Sequence, residues 1–248
     1  MSELTRNEYN KIARQYADAK GRVSAQHSIY PTFRKVVGDI SGLRALDLAC
    51  GEGYTSRILA EQGARKVYGV DISEAQIEIA REKEAELKQG IDYIVADASK
   101  PEIRKIGKFD LVTGAFLLNY SDTRKMLYDM VGNIKALTKP NGRVVGLVPN
   151  SDAGLNAQGL SVKLSPLKGQ EEGSPYKVEF FDQDGNVFCE FTNYFWLRKT
   201  YEKAFTDLGF KFKWHNPVVS EQGLREIKKE VWDEYLKNPT WMAFEARK

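Results

Sequence analysis

Two cysteines and two histidines in 248 residues leave little material for two common kinds of scaffold and site. Cys50 and Cys189 cannot form a disulfide framework. His27 and His215 belong to no cluster of cysteines and acids at ligand spacing, so no metal is expected. Apolar runs are short. None approaches the roughly 18–20 residues that cross a bilayer, and no membrane partner is expected. The opening Met1-Ser2-Glu3-Leu4-Thr5-Arg6 lacks the apolar stretch that directs export, which predicts a cytoplasmic protein. An excess of one charge is missing too: Lys and Arg number 37 against 34 Asp and Glu, a net charge of +3. The basic residues are interspersed with acids, so nucleic acid is not an expected partner. There is no internal repeat, and no pattern that encodes an oligomeric state.

What is present suits one α/β domain with an insertion: 42% hydrophobic and 29% charged residues, enough for a sizeable core. Residues 4–38 read as two helices, with Tyr9, Ile12, Ala13 and Tyr16 at helical spacing. Strands at Ala45–Ala49, Lys66–Val70, Ile91–Val95, Phe109–Ala115 and Arg143–Val148 then alternate with helices. One helix covers 54–62. A second starts at the capping box Ser73-Glu74-Ala75-Gln76, and a third buries Leu127, Met130, Ile134 and Leu137 before Lys139-Pro140-Asn141-Gly142 stops it. Such alternation predicts a doubly wound, mostly parallel sheet covered on both faces. From Pro149 the pattern changes. Residues 151–175 are rich in Gly, Ser, Asn and Gln, with little periodicity, and then Tyr176–Phe181 and Val187–Tyr194 flank the hairpin signal Asp184-Gly185. The acids from Asp182 do not make a calcium loop, because the twelfth position is Asn193 rather than Glu. A helix over Trp196–Leu208 follows, then strands Phe210–Trp214 and Trp241–Ala246 on either side of a charged helix at 221–237.

The most informative stretch is Leu46-Asp47-Leu48-Ala49-Cys50-Gly51-Glu52-Gly53, with Asp71 ending the next strand twenty positions after Gly51. A strand, a glycine turn, a helix and a second strand ending in an acid bind an adenosine-type ligand at the carboxyl ends of parallel strands. Gly51 and Gly53 allow a sharp turn and close backbone approach, and Asp71 can accept two hydrogen bonds from a ribose diol. Dinucleotide domains place a third small residue, Gly or Ala, where this chain has Ser56. Leu46–Gly53 resembles motif I of the class I S-adenosylmethionine-dependent methyltransferases, and the resemblance extends over most of the chain outside about 150–197. It implies a Rossmann-like doubly wound sheet with an antiparallel last strand and S-adenosyl-L-methionine as cofactor, giving S-adenosyl-L-homocysteine.

Site residues follow from the resemblance. Asp47 is expected under the turn, ordering the methionine end of the cofactor, with the N–H groups of Gly51 and Gly53 pointing toward that ligand. Asp71 is expected on the ribose, Ile72 against adenine, and Asp97 with the Ala98 N–H on the adenine edge, since a carboxylate accepts where an amine donates. Ala115 and Phe116 match the backbone that meets the cofactor after the fourth strand. Tyr9-Asn10-Lys11-Ile12-Ala13-Arg14-Gln15-Tyr16 resembles a segment that folds over the cofactor in many small-molecule methyltransferases; Tyr9 and Tyr16 either reach the ligand or pack the helix on the sheet.

No catalytic residue is required beyond proximity and alignment. Asn119, Tyr120 and His27 are acceptor-side candidates, although His27 also reads as an ordinary surface or packing histidine. The insertion, 151–197, reads as an inserted β-hairpin lid, between a helical cap at 1–40 with a core at 41–150 and a C-terminal completion of the sheet at 198–248. Its aromatic residues make Phe191, Tyr194 and Trp196 candidate substrate contacts, together with Tyr120 after the fourth strand. Aromatic walls suit a flat neutral ring. Within the family, Leu46–Ser73 and Ala115–Tyr120 look most like the N-methyltransferases of the toxoflavin synthase group. The expected partner is therefore a small-molecule acceptor, a nitrogen heterocycle methylated on nitrogen in antibiotic biosynthesis. An amine or amino-acid N-methyltransferase, an O-methyltransferase and a cofactor-binding regulatory protein without transfer activity are the alternatives.

Overall fold

The computed structural model describes residues 3–20, 24–182 and 184–248. Two N-terminal helices, α1 (Glu3–Lys20) and α2 (Gln26–Val37), precede the sheet, and residues 21–23 between them lie outside the described residues. The core strands are β1 (Arg44–Leu48), β2 (Lys66–Asp71), β3 (Asp92–Val95), β4 (Phe109–Ala115) and β5 (Thr138–Pro149). Helices α3 (Tyr54–Glu61), α4 (Glu74–Leu87) and α5 (Arg124–Leu137) alternate with them. The expected capping box forms: the Ser73 hydroxyl accepts from the Gln76 N–H at 3.2 Å.

Seven strands make one sheet in the order β10-β11-β5-β4-β1-β2-β3, where β10 is Lys211–His215 and β11 is Trp241–Arg247. β1 to β5 pair in parallel, and β11 runs antiparallel to both neighbours. Both faces are covered, so alternate residues enter two different cores. Leu46, Val112, Val144 and Val148 pack with Met130, Ile134 and Phe205 on the face of α5 and α6 (Arg198–Thr206). Ala45, Leu111, Val145 and Leu147 pack with Phe33, Ile58 and Ile77 on the face of α2, α3 and α4. The charged C-terminal segment forms two helices rather than one, α7 (Glu221–Glu226) and α8 (Lys229–Lys237).

The insertion forms its own antiparallel sheet, β6 (Gln158–Gly159), β7 (Val162–Pro166), β8 (Pro175–Phe181) and β9 (Val187–Tyr194). The hairpin β8–β9 matches the sequence expectation; β6 and β7 fall where the sequence shows no periodicity. Their turn is Leu160-Ser161, both with positive φ (51° and 68°). Two-residue hairpin turns with this backbone are signalled by Asn-Gly or Asp-Gly, which is why Leu-Ser gives no cue. Among the described residues, no helix is long and apolar enough to cross a membrane, and no group of three His, Cys, Asp or Glu could hold a metal ion.

Candidate functional site

The glycine turn is built around a fully buried carboxylate. Asp47 points to the α3 side of the sheet, where its Oδ2 accepts from Thr55 Oγ1 and Ser56 Oγ, both at 2.7 Å. Its Oδ1 accepts from Thr113 Oγ1 at 2.8 Å. Three hydroxyls from α3 and β4 thus satisfy one buried charge and tie the helix to two strands. Asp47 does not line the cavity described below, so it acts from beneath the turn.

The glycines act by conformation rather than through their N–H groups. Gly51 and Gly53 have φ of 56° and 86°. The Gly53 N–H donates to the Cys50 carbonyl at 3.0 Å, and the Gly51 N–H donates to Asp71 Oδ2 at 2.8 Å. Both donors are therefore engaged inside the turn, unlike the sequence expectation. A Cβ on Gly53 would also lie 2.8 Å from Cζ of the Tyr93 ring. Glu52, between the glycines, is buried and pairs with Arg57 Nη2 at 2.8 Å and Lys83 Nζ at 2.6 Å, fastening α3 and α4 to the turn. The sequence reading missed Glu52, although the glycines on both sides place it in the turn.

Asp71 ends β2 at the rim of a cavity that it shares with Gly51, Ile72, Ala115 and Phe116. Its Oδ1 accepts from the Ser73 N–H at 2.9 Å. At least two of a carboxylate's roughly four acceptor positions are thereby used by backbone. Ala49 and Phe116, at the ends of β1 and β4, both face the cavity with positive φ (55° and 59°). Left-handed backbone costs a non-glycine residue about 1–2 kcal/mol, and such positions gather at functional sites.

The cavity is roofed by α1 and by the inner face of the inserted β6–β9 sheet. Asn10 Oδ1 on α1 accepts from Ser73 Oγ at 2.7 Å, and Gln15 Nε2 donates to the Phe188 carbonyl on β9. Tyr9 and Tyr120 share a buried hydrogen bond between their hydroxyls, with rings edge-on at 5.6 Å. Burial pushes both hydroxyls well above the ordinary phenol range, so they remain protonated. Tyr16 stacks on Phe180 at 6.2 Å and meets Phe191 edge-on at 5.4 Å. Tyr30 on α2 and Tyr54 on α3, which the sequence reading passed over, also line the cavity with ring centroids 4.1 Å apart.

The structure thus brings Tyr9, Tyr16, Gly51, Asp71, Ile72, Ala115, Phe116, Tyr120 and Phe191 to one cavity, and leaves the other candidates off its wall. Asp97 turns onto Ser99, accepting from its N–H at 2.8 Å and its hydroxyl at 2.7 Å. Ala98 is in the core, its carbonyl accepting from Asn133 Nδ2 at 2.9 Å. Asn119 is fully buried beneath the wall, and neither end of its carboxamide has a partner among the described residues. His27 faces α7, with Nε2 2.8 Å from Glu226 Oε2.

On β9 the period of two decides between neighbours: Cys189, Phe191 and Asn193 face inward, so Tyr194 points away. Trp196 is a core residue whose indole N–H donates to the Ser121 carbonyl at 2.9 Å. Tyr176, read in sequence only as part of the aromatic run Tyr176–Phe181, and Asn193, passed over because that reading followed aromatic side chains, are both on the cavity wall.

Residues 45–142 match the model of a methyltransferase domain family. The demethylmenaquinone methyltransferase of Lactococcus lactis subsp. lactis is 36% identical over 143 residues, 55% of each chain. The chain therefore spans about half the length of that curated relative. An S-adenosylmethionine-dependent methyltransferase from Mesorhizobium loti superposes with a TM-score of 0.63 at 21% identity, covering 88% of this chain and 97% of that one. Magnesium protoporphyrin IX methyltransferase from Synechocystis PCC 6803 with bound SAH gives 0.65 at 17% identity, covering 99% and 98%. The fold is that of class I methyltransferases.

Proposed function

We propose that this chain, a class I methyltransferase fold with a methyltransferase domain over residues 45–142, uses S-adenosyl-L-methionine to methylate a small neutral acceptor, an aromatic heterocycle on nitrogen. The observation that carries this reading is the cavity joining Asp71 and Gly51 to the aromatic inner face of the lid. Among the described residues lining it, Asp71 is the only Asp, Glu, Lys, Arg or His. An acceptor carboxylate or phosphate would lose its hydration there without a cation to replace it, which disfavours amino acids and nucleic acids. Flat apolar walls suit a ring.

When bound, the cofactor supplies an electrophilic methyl group on a sulfonium. Asp71 accepts from the ribose diol, Ile72 packs against adenine, and the left-handed turn at Gly51 keeps the backbone close. Tyr9, Tyr16 and Phe191 exclude water and fix the acceptor ring. Alignment of this kind lowers a barrier by roughly 7–11 kcal/mol. A ring nitrogen that presents its lone pair needs no prior loss of a proton, which fits a cavity whose described wall offers no histidine or lysine and where burial keeps the Tyr9 and Tyr120 hydroxyls protonated.

Calorimetry with S-adenosylmethionine and S-adenosylhomocysteine, followed by labelled methyl transfer to a panel of heterocycles, amines and phenols, tests the reading. Cofactor binding without transfer to any class would favour a regulatory protein; transfer only to amino acids would overturn the neutral ring. The name of the Lactococcus relative supports a second reading, methylation of a quinone-type ring. That acceptor is also a neutral ring, and the phenol arm detects it.

A further inference from the structure

We propose that Tyr176 and Asn193, side by side on the inner face of the lid, bind a cyclic amide edge of the acceptor and set its specificity, an inference that rests on the methyltransferase reading above. β8 and β9 place these two residues directly opposite one another. Directly opposed side chains share a face, with Cβ atoms about 4.5–5.5 Å apart. Both line the cavity, at 1% and 4% exposure. Asn193 approaches the Tyr176 oxygen as a side-chain donor, but among the described residues no acceptor meets the Tyr176 hydroxyl proton and no donor meets Asn193 Oδ1. Their neighbours on that face, Leu164, Val178 and Phe191, are apolar.

Buried polar atoms are nearly always paired, and an unpaired one is a cost to the free protein. Phenylalanine and leucine would fill the same two places without that cost, so the polar atoms call for a ligand. Asn193 Oδ1 only accepts, so the ligand must bring an N–H or O–H. The Tyr176 hydroxyl, kept protonated by burial, donates to a carbonyl. An N–H beside a C=O on a neutral ring, as in a lactam or imide, offers both groups at neighbouring positions. A cavity without a described cation on its wall agrees with an uncharged edge.

The test uses the full chain, its Tyr176→Phe and Asn193→Leu variants, and two ligand pairs: quinazolin-4-one with its 3-methyl derivative, and lumazine with 1,3-dimethyllumazine. Binding is measured by calorimetry with saturating S-adenosylhomocysteine, and thermal unfolding is measured without ligand. The expected result is about 10–100-fold tighter binding of the N–H member of at least one pair by the unsubstituted chain. Each variant should lose that preference, keep its S-adenosylhomocysteine affinity and melt no lower than the unsubstituted chain. Equal binding of both members, or binding of neither by a chain that binds S-adenosylhomocysteine, overturns the proposal. So does a lower melting temperature for Tyr176→Phe, which removes a single oxygen and would then have removed a structural hydrogen bond. Failure to bind S-adenosylhomocysteine would overturn the methyltransferase reading instead, with the melting temperatures still deciding whether the pair is structural.

Discussion

Replacing Asp71 separates a ligand contact from a structural one. Its carboxylate holds the Gly51 N–H at 2.8 Å and the Ser73 N–H at 2.9 Å, and it faces the cavity. If it also accepts from a ribose diol, Asp71→Ala removes hydrogen bonds to a charged group worth about 1.5–3 kcal/mol in cofactor binding, a rise of roughly 10–150-fold in Kd. The same substitution frees two backbone donors at a half-buried site, costing a further ~1–3 kcal/mol of stability. At about 2–4 °C per kcal/mol for a domain of this size, the melting temperature should fall by several degrees. Asp71→Asn keeps one side-chain oxygen, enough for one of the two N–H donors, and turns an NH2 toward the other, so it should recover only part of the stability while cofactor binding stays weak. Calorimetry with S-adenosylhomocysteine beside thermal melts reads both effects. The reasoning is refuted if folded Asp71→Ala binds S-adenosylhomocysteine as the unsubstituted chain does. If Asp71→Asn restores affinity and stability together, Asp71 acts through the turn alone.

Gly53→Ala should destabilise the chain by more than the ~1–2 kcal/mol of left-handed strain, because the new Cβ also meets the Tyr93 ring; an unchanged denaturation midpoint would show that the turn relaxes freely. Phe191→Ala should raise the acceptor KM or lower kcat with less than tenfold change in S-adenosylhomocysteine affinity, whereas Trp196→Ala should cost about 3–5 kcal/mol of stability as a core truncation. Matching acceptor kinetics and matching stability for those two variants would contradict the assigned faces. At Asp110, burial alone would raise the carboxyl pKa, but Lys139 at 2.8 Å and the Arg44 N–H at 3.0 Å hold it below the usual range. A lowered folded pKa gives stability that is present above the unfolded value of about 3.9 and is lost as the pH falls through the folded one. Asp110→Asn should therefore melt below the unsubstituted chain near pH 6, with the gap closing as the pH drops below about 4; a gap constant in acid would remove the linkage.

Local signals carried much of this protein. The strand–turn–helix at Leu46–Gly53, the acid twenty positions later at Asp71 and the cap at Ser73 are legible because each depends on a few consecutive residues: a backbone that must turn, a strand end, an unsatisfied helix N–H. The five core strands are legible because burial on both faces demands near-continuous apolar runs. Other features depend on which distant segments meet. Phe191 and Tyr194 are equally aromatic, and only the register of β8 on β9 sends one to the cavity and the other away from it. Tyr9 and Tyr120 lie 111 positions apart, and their shared hydrogen bond exists because α1 packs on α4 and β9 and so meets the turn that follows β4. Trp196 reads as a lid aromatic in sequence, but the path of the chain from β9 into α6 places it in the core. Asp97 has the strand-end position of a ligand contact, and what the spacing could not tell is that Ser99 holds one of its oxygens. Composition and spacing thus determined the sheet and the acid at its carboxyl edge. Pairing across distant strands, where a shift of one residue exchanges the two faces, decided which side chains form the cavity wall.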